Sequence, residues 1–206
     1  PHEPLYIGYD PGNFQSLIVA QKKDYGRRLD IIKEFFAFLP KDYNDLVAEV
    51  HQFFGSAAVN KTIYLYPDRA GNKRREEREQ ITTDSLNLKA VLESYGFMVI
   101  LYNEDAPTIY HWQQFKLCQM LFGERSPLLP IIRIDENECK NLCSAIRISH
   151  RTKTDGTIEL DKSSEKKQQL KNQAGLTTQL PSAMIYLLYG LYSDAVKAEL
   201  STYPTD

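Results

Sequence analysis

The apolar residues of the first twenty positions alternate and then break sharply. Leu5-Tyr6-Ile7-Gly8-Tyr9-Asp10 ends at Pro11-Gly12-Asn13, and a second apolar run, Ser16-Leu17-Ile18-Val19-Ala20, follows. This predicts a β-hairpin with a carboxylate at its turn. Leu29 to Phe38, with Ile31, Ile32, Phe35 and Phe36, reads as a third strand. Pro40-Lys41-Asp42 then opens a helix in which Leu46, Val47, Val50, Phe53 and Phe54 recur at helical spacing, with Gly55 near its end. The strand-then-break arrangement returns further on. Thr62 to Pro67 runs into Asp68, and Arg69-Ala70-Gly71-Asn72 interrupts the chain.

Thr83 or Asp84 is the expected cap of a second helix, which buries Leu86, Leu88, Val91 and Leu92 and stops at Gly96. Phe97 to Tyr102 reads as a strand, Pro107 to Phe122 as a helix and Leu128 to Ile134 as a strand. Asp135 or Asn137 is placed to cap a helix through Ile146. Arg147 to Glu159 reads as two short strands around Thr154-Asp155-Gly156. Asp161 to Gln173 is polar and Lys-rich, a mobile helix or loop, and Leu180 to Leu191 is strongly apolar and helical. The tail from Ser193 is expected to fray. Three antiparallel strands, a helix, then alternating strands and helices make a mixed α/β sheet covered on both faces. No repeat or long linker divides the chain, so residues 1–206 are expected to form one domain.

Composition narrows the classes. The chain has 206 residues, 42% of them hydrophobic, which suits a folded core. No apolar stretch reaches the ~20 residues of a membrane helix, and no signal peptide is visible. The formal net charge is −2, so a contact with nucleic acid must come from local patches. The first residue is Pro1, which marks a processed product or an excised fragment. Cys118, Cys139 and Cys143 fit a reducing compartment without a disulfide framework. Cys139 and Cys143 lie one helical turn apart and read as core thiols, because no second Cys or His pair has zinc-ligand spacing.

Asp10 and Asp68 carry the candidate chemistry. A lone Asp after a strand is usually a turn former. Two in matched contexts, each followed by a Gly-bearing loop, suit a divalent-metal phosphoryl-transfer site, because hard cations take carboxylate oxygens. Asn72-Lys73-Arg74-Arg75-Glu76-Glu77-Arg78-Glu79 follows Asp68 directly. The position of Lys73, Arg74, Arg75 and Arg78 favours contact with DNA phosphates. The interleaved glutamates favour a solvated, internally paired segment equally well. Lys162 opens a second basic stretch with Lys166, Lys167 and Lys171, for which an exposed helix face is the stronger reading. Arg147, His150, Arg151 and Lys153 are candidates to line the same cleft. His111 and Trp112 read as packing residues, and the thirteen tyrosines form no evident base-stacking platform.

The order of elements, with Asp at the ends of the first and fourth strands, resembles the RNase H-like fold. The finer motifs resemble the nuclease domain of the phage terminase large subunit. These are Tyr6-Ile7-Gly8-Tyr9-Asp10 with its hairpin, Tyr66-Pro67-Asp68-Arg69-Ala70-Gly71 and its basic loop, and Thr83-Asp84 with the helix to Gly96-Phe97. Ile134 to Leu142, Leu160-Asp161-Lys162-Ser163 and Thr177 to Tyr186 complete the match, which spans nearly the whole chain. The resemblance implies an endonuclease that cuts concatemeric double-stranded DNA during genome packaging, with two Mg²⁺ or Mn²⁺ ions between three acidic positions. It implies a preceding ATPase domain, a small terminase subunit and a portal as partners. It also implies a phage- or prophage-encoded protein acting in the bacterial host cytoplasm. Asp10 would bridge both ions and Asp68 would hold one.

The third acidic position departs from the family pattern. His-x-x-Asp-Ala is typical at the start of the last helix, and Gln179-Leu180-Pro181-Ser182-Ala183 stands here. Ser182 therefore occupies the metal position of the expected third Asp, and a neutral hydroxyl is a weaker ligand for a hard cation. Three arrangements remain open. Another carboxylate such as Asp161 or Glu165 is recruited, the chain is a variant that has lost cleavage, or the third position lies elsewhere. An ordinary helix start with Pro181 in its first turn and Ser182 on the surface is equally compatible with this stretch. A DNA-binding or motor-docking module on the same fold is the alternative function. Actin-like and sugar-kinase ATPases also carry loops like Asp10-Pro11-Gly12, but they need a second phosphate loop. Neither that nor a Walker-type motif occurs here, so the chain cannot power packaging by itself.

Overall fold

The computed structural model describes residues 2–11, 14–55, 60–68, 75–77, 80–102, 111–124, 126–149, 151–154, 157–161, 163 and 173–200. Strands β1 (Leu5–Asp10), β2 (Gln15–Lys23) and β3 (Arg28–Ala37) pair antiparallel in sequence. Helix α1 (Tyr43–Phe54) leads to β4 (Thr62–Pro67), which pairs parallel with β1. A two-stranded hairpin, β5 (Arg75–Glu77) and β6 (Gln80–Thr82), precedes α2 (Asp84–Ser94). Strand β7 (Met98–Leu101), helix α3 (His111–Phe122), strand β8 (Ile131–Ile134) and helix α4 (Lys140–Ile148) follow. The hairpin β9 (Arg151–Thr154) and β10 (Thr157–Leu160) precedes the closing helix α5 (Gln179–Leu200). Among the described residues the main sheet has six strands in the order β7-β4-β1-β2-β3-β8. Its outer pairs, β4 with β7 and β3 with β8, are parallel. The mixed sheet inferred from the sequence is the sheet observed.

Alternation along β1 sorts the two cores. Leu5, Ile7 and Tyr9 join Leu17, Val19, Ile63 and Leu65 beneath α1 and α2. Ile18, Ala20 and Tyr66 lie on the opposite face with Leu117 and Leu121 of α3, Leu142 of α4, and Leu180, Ala183 and Leu187 of α5. Because side chains alternate at period two, Tyr6, Gly8 and Asp10 share this second face. Gly8 is there for lack of a side chain. A Cβ at this position would lie 2.0 Å from the Ala183 carbonyl oxygen and 2.9 Å from Leu187 Cβ, so α5 rests directly on the β1 backbone.

Local chemistry sets the helix starts. Asp42 caps α1 and forms a reciprocal pair with Asp45, accepting from the Asn44 and Asp45 N–H groups. Thr83 caps α2 by accepting from the Leu86 N–H, and Gly96 takes the left-handed conformation just past its end, φ +84°. Helix α4 differs from expectation. Its N-cap position is Cys139, with no side-chain cap, while Asp135 closes a turn by accepting from the Asn137 and Glu138 N–H groups. The capping carboxylate comes from β3. Glu34, 8% exposed, accepts from the Asn141 N–H at 2.9 Å, the Leu142 N–H at 2.6 Å and Asn141 Nδ2 at 2.7 Å. A negative group at a helix N-terminus satisfies orphan donors and opposes the helix dipole.

Other boundaries moved. Arg147 belongs to α4 and not to a strand. The chain from Ser193 continues α5 to Leu200 instead of fraying there. The segment read as a basic loop includes β5, which pairs with β6 just beyond it. Trp112 is exposed rather than packed. The stretches 103–110 and 164–172, where a helix start and a Lys-rich helix or loop were expected, lie outside the described residues.

Replacing Gly8 by Val should cost about 1–3 kcal/mol or more, since overpacking must push α5 off the sheet; a urea midpoint equal to that of the parent would refute the contact. Glu34→Ala should cost about 1.5–3 kcal/mol, the range for charge-assisted hydrogen bonds. Its amide exchange should quicken first at Asn141 and Leu142, whereas Glu34→Gln, which keeps an acceptor, should lose less.

Candidate active site

Strand register brings the two aspartates together. β1 and β4 pair in parallel up to Tyr9 opposite Pro67, and the Asp68 N–H donates to the Tyr9 carbonyl at 2.8 Å. Carried one residue further, the same register sets Asp68 beside Asp10 across the ~4.8 Å strand spacing. Both then occupy the face of Gly8 and Tyr66, under α5. Asp10 is 5% exposed and Asp68 half-buried.

Helix α5 runs antiparallel to β1. Gly8 lies against Ala183 and Leu187, while Tyr192, further along the helix, is within electrostatic reach of Tyr6. Two strand residues advance ~6.6 Å, the rise of about one helical turn. Moving from Gly8 to Asp10 therefore moves from Ala183 to the first turn of α5. Gln179 precedes Ala183 and Leu187 on one i, i+4 stripe, which directs it toward the end of β1 that carries Asp10. Ser182, one residue before Ala183, is 4% exposed, and Pro181 is buried. Ser182 is thus not a surface residue of an ordinary helix start.

Ser16 completes the surroundings of Asp10. It is the direct cross-strand partner of Asp10 in β2, so its side chain shares that face. Ser16 Oγ and Gln179 Oε1 are fully buried oxygens without a hydrogen-bond partner among the described residues. Ser85 Oγ and Tyr192 Oη are the other two and belong to other parts of the fold. A buried polar atom left unpaired costs about 1–3 kcal/mol. One of the first two stands directly across the strand pair from the buried Asp10, and the other opens the helix that rests on β1. The oxygens present, two carboxylates with a neutral amide and hydroxyl, are of the type that suits Mg²⁺ or Mn²⁺.

Among the described residues, no group of three or more His, Cys, Asp and Glu side chains could hold a metal. Asp161 does not join Asp10 and Asp68 in one cluster. It accepts from the Ser163 N–H at 2.8 Å and lines a small cavity of about 150 Å³ with Ser149, Leu176, Thr177 and Thr178, at the entry to α5. Glu165 lies outside the described residues, as do Lys73, Arg74, Arg78, Lys162 and His150. Only the backbone is described for Arg75, in β5, and for Arg151 and Lys153, in β9. Arg147 points to solvent and pairs with Glu136 at 2.7 Å.

Two features escaped the sequence reading. Ser16 was seen only as part of a strand, and its place opposite Asp10 follows from hairpin register, which a turn signal fixes loosely. The tyrosines do line up across strands. Tyr6 stacks on Tyr64 and Tyr66 on Tyr102, and Tyr64 lies beside Tyr102. Alternate Tyr64 and Tyr66 on one strand were the available signal. Burial first, then the neighbouring tyrosines, pushes the Tyr66 hydroxyl well above its ordinary range.

Cys139 is fully buried and Cys143 half-buried. Burial first, then Glu34, pushes the Cys139 thiol up to about 12. Burial also raises Cys143 and takes Cys118 up to about 11. Thiols so disfavoured as thiolates are poor metal ligands and poor nucleophiles.

No family model and no curated protein matches the chain. Solved structures do. The large terminase of a thermophilic bacteriophage matches with a TM-score of 0.58 and 12% identity, covering 92% of this chain and 39% of that one. Its complex with ATP-γ-S in another crystal form gives the same TM-score and identity. The nuclease domain of the bacteriophage SPP1 g2p large terminase, with bound Mn, matches with a TM-score of 0.53 and 12% identity, covering 93% of this chain and 87% of that one. The chain thus spans about two fifths of the thermophilic phage's protein and has the fold of the large-terminase nuclease domain. Among the described residues, no helix is long and apolar enough to cross a membrane.

Iodoacetamide at pH 8 should leave Cys139 unmodified in the folded chain and label it after denaturation. Native labelling of Cys139 as fast as that of a free thiol, read by peptide mass, would contradict its burial.

Proposed function

We propose that this chain is the metal-dependent endonuclease domain of a large-terminase-like packaging protein, acting on concatemeric double-stranded DNA. One observation carries the reading. Asp10 and Asp68 close adjacent parallel strands in matched register, on the sheet whose β1 backbone α5 covers. The likeness to the Mn-bound SPP1 nuclease domain supports the choice of divalent metal. In this reading Asp10, buried and central, and Asp68, more open to solvent, hold Mg²⁺ or Mn²⁺. A bound divalent ion supplies an activated water and charge stabilisation for the leaving oxygen. The chain's residues do the rest. The sheet fixes both carboxylates, and the buried strand end at Asp10 limits access of bulk water. The cations of the segment after Asp68, Lys73, Arg74, Arg75 and Arg78, together with Lys162, would hold the phosphate backbone. The ATPase domain, small subunit and portal are the proposed partners, and the phage-infected bacterial cytoplasm the proposed setting.

Ser182 supports a second reading. A buried neutral residue where the family places its third carboxylate fits a domain that binds DNA or docks onto a motor with cleavage impaired.

Plasmid cleavage with Mn²⁺ and with Mg²⁺ separates the two. For a nuclease, the parent cuts, Asp10→Ala does not, and Ser182→Asp lowers the Mn²⁺ needed for half-maximal cleavage by ~10-fold or more. For the impaired module, the parent is silent and Ser182→Asp cuts. Cleavage by the parent that survives both Asp10→Ala and Asp68→Ala would overturn the assignment of the site.

A further inference from the structure

We infer that the site of this chain is built for one divalent cation, held by Asp10 and Asp68 together with the neutral oxygens of Ser16 and Gln179. The inference rests on the reading of the two aspartates as metal ligands and adds ligands and a stoichiometry to it. Three observations meet here. Gln179 is 3% exposed and lies one helical turn before Ala183, which rests on Gly8, two residues before Asp10, and its Oε1 has no hydrogen-bond partner among the described residues. Ser16 is fully buried opposite Asp10 in the hairpin, and its Oγ is likewise unpartnered. No third carboxylate, His or Cys joins the pair among the described residues.

Charge decides the number. Two carboxylates neutralise one divalent ion. Two ions between the same two carboxylates would leave two uncompensated positive charges in a largely buried place, which is strongly unfavourable. An amide oxygen and a hydroxyl complete the oxygen set of a hard cation without adding charge. They also give both orphaned oxygens a partner. Ser182, next to Ala183 in the same turn, adds no charge either, so the position that would bring a second ion is silent.

Mn²⁺ alone is the probe. The free-ion signal in electron paramagnetic resonance is followed as Mn²⁺ is titrated into the whole chain, with circular dichroism and thermal unfolding as controls for folding. The parent should bind one Mn²⁺ that Asp10→Asn removes. Ser16→Ala and Gln179→Met should each weaken it by ~10-fold with folding unchanged, and Ser182→Asp should add a second ion. Gln179→Glu should tighten binding, which keeps the test decisive if Gln179→Met fails to fold. Two Asp10-dependent ions in the parent overturn the inference, as does an affinity indifferent to Ser16→Ala and to either Gln179 variant. Both results leave the two-aspartate reading standing. Mn²⁺ binding that ignores Asp10→Asn sinks that reading itself.

Discussion

The contact between Gly8 and α5 is the constraint on which the site depends. A helix normally stands off a sheet by the thickness of two side-chain layers. Here the β1 backbone meets the Ala183 carbonyl with no Cβ between them. That close approach lowers the N-terminal turn of α5 onto the end of β1. It buries Asp10, Ser16, Gln179 and Ser182 together, although each is polar. Burying polar groups costs free energy unless partners are supplied. The apolar contacts of Leu180, Ala183, Met184 and Leu187 with Ile18 and Tyr66 offset that cost from the same helix.

Another carboxylate, Glu34, has a structural role. It draws the N-terminus of α4 against β3 through three charge-assisted hydrogen bonds. The short 3-10 turn Ala174–Leu176 packs on α4, with Gly175 against Asn141 and Ser144. That turn leads through Thr177 and Thr178, both buried, into Gln179. The start of α5 is thus held from two sides, by Gly8 beneath and by α4 alongside. Glu34 is thus a buried acid whose oxygens are occupied by helix N–H groups, an acid used for folding.

The sheet was legible because its signals are local. Alternation, turn residues and cap residues fixed β1, β3, β4, α1 and α2 within a residue or two, since Asp42, Thr83 and Gly96 act on their own neighbours, while β2 runs three residues past Ala20 to Lys23. The same signals failed for α4, whose capping acid arrives from β3, far away in sequence. They also failed for the end of α5, where apolar spacing weakens after Leu191 but the helix continues. In the candidate site, Asp10 and Asp68 were visible because strand ends announce themselves, whereas Ser182 was singled out only through the family resemblance. Ser16 was not. Its role follows from a two-strand register that places it opposite Asp10, and a one-residue slip would have sent it to the other face.

The departure at Ser182 gains its meaning from where the helix points. An Asp in the first turn of α5 would be favoured by the helix dipole, so local electrostatics alone would have kept a carboxylate there. Its absence is therefore no matter of difficulty in holding an acid at a helix start. On the proposed reading, with two carboxylates and one divalent ion, the buried group would be neutral overall, and the positive end of α5 would face no excess of negative charge. An anionic phosphate brought to this place would find the helix N-terminus uncompensated by a third acid. On that reading, serine in place of aspartate would weaken metal binding and lessen the repulsion a DNA backbone meets on approach, exchanging a share of cation affinity for a less repulsive approach to anions.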